Sequence, residues 1–121
     1  MATILLVDDM DDVREGISAV LQGSGHTVIE ARDGREAIAK LGSQHFDLVI
    51  TDIMMPEQDG TEVIMHLEGL ADRPPVLAIS GGAPNVPAYM ALHLARLKAD
   101  ATLMKPFRND ELMAKVGQLL K

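Results

Sequence analysis

The sequence has no cysteine, no tryptophan and only three aromatic residues, Phe46, Tyr89 and Phe107, among its 121 positions. The missing thiols exclude disulfides, thiolate chemistry and cysteine-based metal sites. So few rings offer no stacking platform for single-stranded nucleic acid. Basic residues are also short, 11 against 18 acidic ones, and they are scattered without a block. The resulting net charge of −7 opposes polyanion binding, which needs clustered Lys and Arg to neutralise phosphates. No apolar run approaches the roughly 20 residues that span a bilayer. The run before Asp8-Asp9 is too short for a secretory signal. The expectation is a cytoplasmic protein that engages neither nucleic acid nor membrane.

What is present is aliphatic. Hydrophobic residues make up 47% of the chain, and aliphatics with eight methionines must fill the interior. The length suits one domain with a sizeable core and is too short for two. No tandem repeat, low-complexity segment or linker divides it, so residues 1–121 are expected to form a single, stand-alone domain.

Four short runs read as buried strands: Ile4-Leu5-Leu6-Val7, Leu48-Val49-Ile50-Thr51, Val76-Leu77-Ala78-Ile79 and Ala101-Thr102-Leu103-Met104. A fifth strand is predicted at 26–30. Helical patterns separate them. Residues 10–22 carry Val13, Ile17, Val20 and Leu21 on one stripe and stop at Gly23-Ser24-Gly25. Asp33 caps the next helix, with Glu36 three residues on and Ala37, Ile38 and Leu41 as its apolar stripe. A turn at 55–60 leads into a third helix capped by Asp59 and reaching about residue 68. A loop rich in Gly and Pro at 81–87 precedes a fourth helix over 86–97. Leu112, Val116, Leu119 and Leu120 give the last helix, 108–120, its apolar side. Strand followed by helix, five times over, predicts a three-layer α/β sandwich around a parallel sheet.

Ligands of such sheets gather at the carboxyl ends of the strands. There the sequence sets Asp8 and Asp9 after the first strand, Asp52 after the third, Ser80 after the fourth and Lys105 after the fifth. Each residue singly has an ordinary explanation: a capping Asp, an acidic helix start favoured by the helix dipole, a turn serine, a surface lysine. Jointly they describe a pocket. Three acids there repel one another unless a cation joins them, which points to Mg²⁺ and a phosphoryl group. Asp52 can act as a nucleophile once the phosphorus is made electrophilic and held in line. Asp8 and Asp9 would cradle Mg²⁺, one directly and the other through water. Ser80 would contact a phosphoryl oxygen, and Lys105 would balance its charge. The histidines (His26, His45, His66 and His93) show no ligand spacing.

The motifs Leu6-Val7-Asp8-Asp9, Asp52-Ile53-Met54-Met55-Pro56 with Asp59-Gly60, Ser80-Gly81 and Lys105-Pro106-Phe107, in that order, resemble the receiver domains of response regulators in two-component signalling. The resemblance covers residues 3–120. It implies a (βα)5 flavodoxin-like fold whose five-stranded parallel sheet has the order 2-1-3-4-5. It implies Asp52 as phosphoacceptor, served by the phosphohistidine of a sensor histidine kinase or histidine phosphotransfer protein. Mg²⁺, or Mn²⁺ in its place, would be held by Asp9, Asp52 and the Met54 backbone carbonyl, with Asp8 acting through water. Ser80 and Lys105 would hold the phosphoryl oxygens, and the Lys105-Pro106 bond would be cis. Phosphorylation would reshape the surface of the fourth helix, fifth strand and last helix for a protein target or onward relay.

Three departures stand out. Thr102, three residues before Lys105, replaces the Tyr or Phe that usually couples site to surface, so the usual aromatic rotation is excluded. The segment from Ser80 to Lys105 is a few residues longer than usual. Met54 and Gly82 occupy the positions that line the approach of hydrolytic water and offer it no orienting group, so self-dephosphorylation is expected to be slow. Among rivals, a haloacid-dehalogenase-type phosphatase needs a second acid two residues after its nucleophile, where this chain has Met54. A flavin or dinucleotide protein of similar layout needs a glycine-rich phosphate loop, where this chain has Asp8-Asp9-Met10-Asp11-Asp12. The alternative of a receiver-like scaffold that is never phosphorylated is disfavoured because every catalytic position is filled.

Overall fold

Four largely apolar runs and the more polar edge run at 27–31 pair side by side, because parallel strands covered on both faces can expose little polar surface. The structure is a computed structural model describing residues 1–52, 63, 66–67, 69–70, 72–80 and 99–120, with Ser80 described as a strand residue only. In order along the chain come β1 (Thr3–Val7), α1 (Asp11–Gly23), β2 (Thr27–Ala31), α2 (Gly34–Leu41), β3 (Leu48–Asp52), β4 (Val76–Ser80), β5 (Ala101–Met104) and a last helix, α3 (Asn109–Leu119). Between β3 and β4, Val63, His66 and Leu67 are helical, on the predicted third helix. The rest of that helix, the predicted fourth helix, and Met54, Gly82 and Tyr89 lie outside the described residues.

The strands form one sheet in the order β2-β1-β3-β4-β5, every neighbouring pair parallel. This is the order and fold class expected. The register aligns Val7 with Ala31 and Thr51, Asp52 with Ile79, and Ser80 with Met104, which brings the carboxyl ends of the strands to one edge.

Alternation along the strands splits the interior into two cores. Leu5, Val7, Val49, Val76 and Ala78 face Ala37 of α2, Phe46, Val63 and Leu67. Ile4, Leu6, Leu48, Ile50, Leu77, Ile79 and Leu103 face Ile17 and Leu21 of α1 and Leu112 and Val116 of α3. Helices therefore cover both faces, as successive side chains of a strand require.

Helix ends follow their local chemistry. Asp33 caps α2 as expected, its Oδ1 accepting the Glu36 N–H at 2.8 Å. Glu36 does not complete a reciprocal box; its carboxylate instead faces Arg32 and Lys40 at 3.5 and 3.6 Å. Gly25 closes the turn after α1 at φ 92°, a conformation glycine adopts without a Cβ clash. Two differences from expectation are small. β2 begins at Thr27 and ends at Ala31, one residue later than predicted, because its ladder with β1 runs from Thr3 opposite Thr27 to Val7 opposite Ala31. β3 and β4 include Asp52 and Ser80 as their last residues, since the ladder continues to them.

Ile50 lies at the centre of the sheet with no exposed surface. Ile50→Ala is expected to lower unfolding free energy by about 2–5 kcal/mol in urea denaturation, through lost burial and the cavity left behind. Met104→Ala, on a residue 44% exposed, should change it by no more than about 0.5 kcal/mol.

Candidate functional site

The carboxyl edge of the sheet gathers charge that the strands themselves cannot satisfy. Asp8 is the first residue beyond β1 and Asp52 the last of β3, two strands paired along their length. Both are buried, whereas Asp9 is exposed. Carboxylate oxygens of Asp8, Asp9 and Asp52 lie within 4.8 Å of one another.

Lys105, just past β5, reaches back over this edge. Its Nζ donates to Asp52 Oδ2 at 3.0 Å and to Asp8 Oδ2 at 3.1 Å. The Lys105-Pro106 peptide is cis, as expected. Burial alone pulls the Lys105 ammonium down. The hydrogen bond to Asp52, the charges of Asp52 and Asp8, and the hydrogen bond to Asp8 outweigh it, so the pKa is raised. Lys105 thus stays charged at neutral pH and offsets part of the repulsion among the acids.

Asp8 is held at every polar atom. Its N–H donates to the Ala31 carbonyl at 3.1 Å, and its carbonyl accepts from Arg14 Nη1 at 2.9 Å. Oδ1 accepts the Met10 N–H at 2.9 Å while Oδ2 faces Lys105. Asp52 lies beside the hydroxyl of Thr51, which donates to the Asp52 carbonyl at 2.9 Å.

The donor set suits a hard divalent cation. Among the described residues, three carboxylates face one ammonium and leave a negative excess, the ligand atoms are all oxygen, and exposed Asp9 leaves one side open to water. Mg²⁺ favours such a site, with one or two carboxylates and retained waters. Of the predicted site residues, Asp8, Asp9, Asp52 and Lys105 come together. Ser80 stands at the same edge by its backbone register opposite Met104, and its side chain lies outside the description. The Met54 carbonyl lies outside it altogether. Thr102 is a half-buried residue of β5 in register with Ala78, so no aromatic ring occupies that position.

One residue of the site was not singled out from sequence. Arg14 is buried in α1 and binds Asp8, Asp11 and Glu30. Its place on α1, three residues after Asp11 on the helix that follows the acidic pair, was the available signal.

Residues 4–117 match the response regulator receiver domain family. The chain is 37% identical over 118 residues to the response regulator MprA of Mycolicibacterium vanbaalenii, and 36% identical to MprA of Mycobacterium tuberculosis. Each alignment covers 98% of this chain and 50% of the relative, so the chain spans half the length of these proteins. Among solved structures, response regulator TrrA of Thermotoga maritima, in complex with Mg²⁺ and BeF, superposes with TM-score 0.87 at 33% identity, covering 99% of this chain and 100% of that one. The chemotaxis response regulator CheY4 of Vibrio cholerae gives 0.85 at 30% identity, covering 99% of both chains. The chain belongs to the receiver-domain family of response regulators. Among the described residues no helix is long and apolar enough to cross a membrane.

Removing the Lys105 ammonium leaves buried Asp8 and Asp52 facing each other without it. Lys105→Met is expected to cost about 3 kcal/mol of stability without divalent cations, measured by chemical denaturation at neutral pH. Added Mg²⁺ should recover much of that loss. Because the folded pKa of Lys105 is raised, its contribution is complete below the ordinary lysine range and disappears as pH climbs through the raised value. The wild type should show this alkaline decline more steeply than Lys105→Met.

Proposed function

We propose that this receiver domain, spanning residues 1–121, accepts a phosphoryl group on Asp52 from a partner phosphohistidine and thereby switches its binding surface. The observation that carries the reading is the contact of Lys105 with both Asp52 and Asp8 beside Asp9, at the carboxyl edge of the sheet. Asp8, Asp9 and Asp52, with the Met54 carbonyl, would hold Mg²⁺ or Mn²⁺. The bound cation supplies Lewis-acid neutralisation of the phosphoryl oxygens. An Asp52 carboxylate oxygen attacks phosphorus, the P–N bond to the donor imidazole breaks, and a mixed anhydride forms on Asp52. Lys105 is within reach to pass from the carboxylate to a phosphoryl oxygen, and the Ser80 hydroxyl would contact another.

The modification adds about −1.5 to −2 charges and strong acceptor oxygens. Lys105 and Ser80 follow those oxygens. Each is joined to β5, Lys105 by sequence and Ser80 by pairing with Met104, so the displacement reaches β5 and the α3 side of the domain. A downstream protein, or a second histidine in a relay, would read that surface. With Thr102 in place of a ring, the strand and its loops carry the change without aromatic rotation. The partners are a sensor histidine kinase or histidine phosphotransfer protein in the cytoplasm, and the phosphoryl group is expected to leave slowly without a phosphatase.

Intact mass after incubation with Mg²⁺ and a small-molecule phosphodonor tests this. Wild type should gain one phosphoryl group and Asp52→Asn none. An unmodified wild type, or equal gain by both proteins, would contradict the proposal and favour a scaffold that works without phosphorylation.

A further inference from the structure

The Asp8–Asp9 peptide follows the last residue of β1, past the Val7 pairings with Ala31 and Thr51. Asp8 N–H still reaches Ala31 of β2, but the carbonyl of the same residue belongs to the next peptide plane. That plane fixes the direction in which Asp9 projects. Its carbonyl accepts a buried hydrogen bond from Arg14 Nη1 at 2.9 Å. The guanidinium is itself anchored from two sides. Nη2 donates to Asp11 Oδ1 at 2.7 Å and Nε to Glu30 Oε1 at 2.8 Å. Glu30 is in turn fixed to α2, its backbone carbonyl accepting from Lys40 Nζ at 2.7 Å. The planar guanidinium therefore ties the residue after β1, the first turn of α1 and β2 together, through one carbonyl and two carboxylates and three different donor groups.

We infer that Arg14 is a positioning residue for the divalent cation: by clamping the Asp8 carbonyl it sets the Asp8–Asp9 peptide plane and so aims the Asp9 carboxylate at the space shared with Asp8 and Asp52. The inference rests on the proposed Mg²⁺ site and adds to it a residue that would not touch the ion. Two physical consequences follow. Without the clamp the peptide can rotate, and three carboxylates within 4.8 Å lose a fixed common centre. Arg14 also draws Asp11 onto itself, so that this neighbouring acid is paired away from the pocket. The cation charge of Arg14 does not repel the metal as a bare charge would, because Asp11 and Glu30 both compensate it.

Arg14→Lys separates shape from charge. The lysine keeps the positive charge but has no planar fork and cannot reproduce three directed contacts. Mg²⁺ affinity of the full chain is measured by NMR titration at low and high ionic strength, alongside a thermal melt without metal. The Mg²⁺ concentration for half-saturation should rise by about tenfold, the scale typical of losing a residue that orients a metal ligand. The factor should persist at high salt, because it comes from geometry and not from a screened field. Phosphorylation by a small-molecule donor should then need more Mg²⁺ for its half-maximal rate, with the rate at saturating Mg²⁺ little changed. Glu30→Gln, which loosens the anchor while leaving Arg14 in place, should shift half-saturation in the same direction by less, again at high salt. It carries the test if Arg14→Lys does not fold.

Unchanged Mg²⁺ half-saturation in Arg14→Lys, with a lowered melting temperature, would overturn the inference and leave Arg14 a purely structural tie. So would a fall in the saturating rate at unchanged Mg²⁺ dependence. Failure of wild type to bind Mg²⁺ overturns the metal site together with the inference, and this distinguishes failure of the underlying reading from failure of the positioning role alone.

Discussion

Like-charge repulsion at the carboxyl edge of the sheet is the constraint around which the rest of the structure is arranged. Parallel strands β1 and β3 deliver Asp8 and Asp52 to adjacent positions, and Asp9 follows directly. Two of these acids are buried. Burying carboxylates side by side is costly unless positive charge and hydrogen-bond donors meet them. Lys105 meets Asp8 and Asp52 from just past β5, and the N–H of Met10, the residue before α1, meets Asp8. The arrangement still carries a negative excess, which is the electrostatic basis for a divalent cation.

The fold creates this tension by bringing the strand ends to one edge. The two cores on opposite faces of the sheet hold five strands in one register, and residues far apart in sequence meet through that register. In the proposed chemistry, that tension would give the site a way to respond. Lys105 binds a carboxylate that the proposed chemistry would convert into an acyl phosphate, so its partner would change while its charge would not. On the proposed reading, movement of this ammonium would reach β5 through covalent continuity, with Thr102 standing where an aromatic route would need a ring.

Much of this was legible in the sequence, for identifiable reasons. Continuous apolar runs marked β1, β3 and β4 because strands buried on both faces leave no polar positions to blur the pattern. β2 was off by one residue since it is an edge strand with an exposed Thr27 and half-buried Val28, Ile29 and Glu30. Asp33 was legible as a cap from local chemistry alone. Arg14 was not, because its meaning depends on Glu30, sixteen residues away, and on a backbone carbonyl with no side-chain signature. The same holds for the opposite edge, where Asp47 accepts the Thr3 N–H and Asp100 joins Arg73 to the Val76 N–H. Such clips satisfy strand ends across long sequence separations, and only the folded register brings them into view.

The central claim is that the Lys105 ammonium and a divalent cation share the same carboxylates. Its most direct measurement follows the Lys105 side-chain nitrogen and the Asp8 and Asp52 carboxyl carbons by NMR as Mg²⁺ is added at neutral pH. The expected result is that all three signals move with one common midpoint, as the ion takes over oxygens that the ammonium had held. Carboxyl signals that move while the Lys105 nitrogen stays fixed, or a lysine signal that responds with a different midpoint, would contradict it.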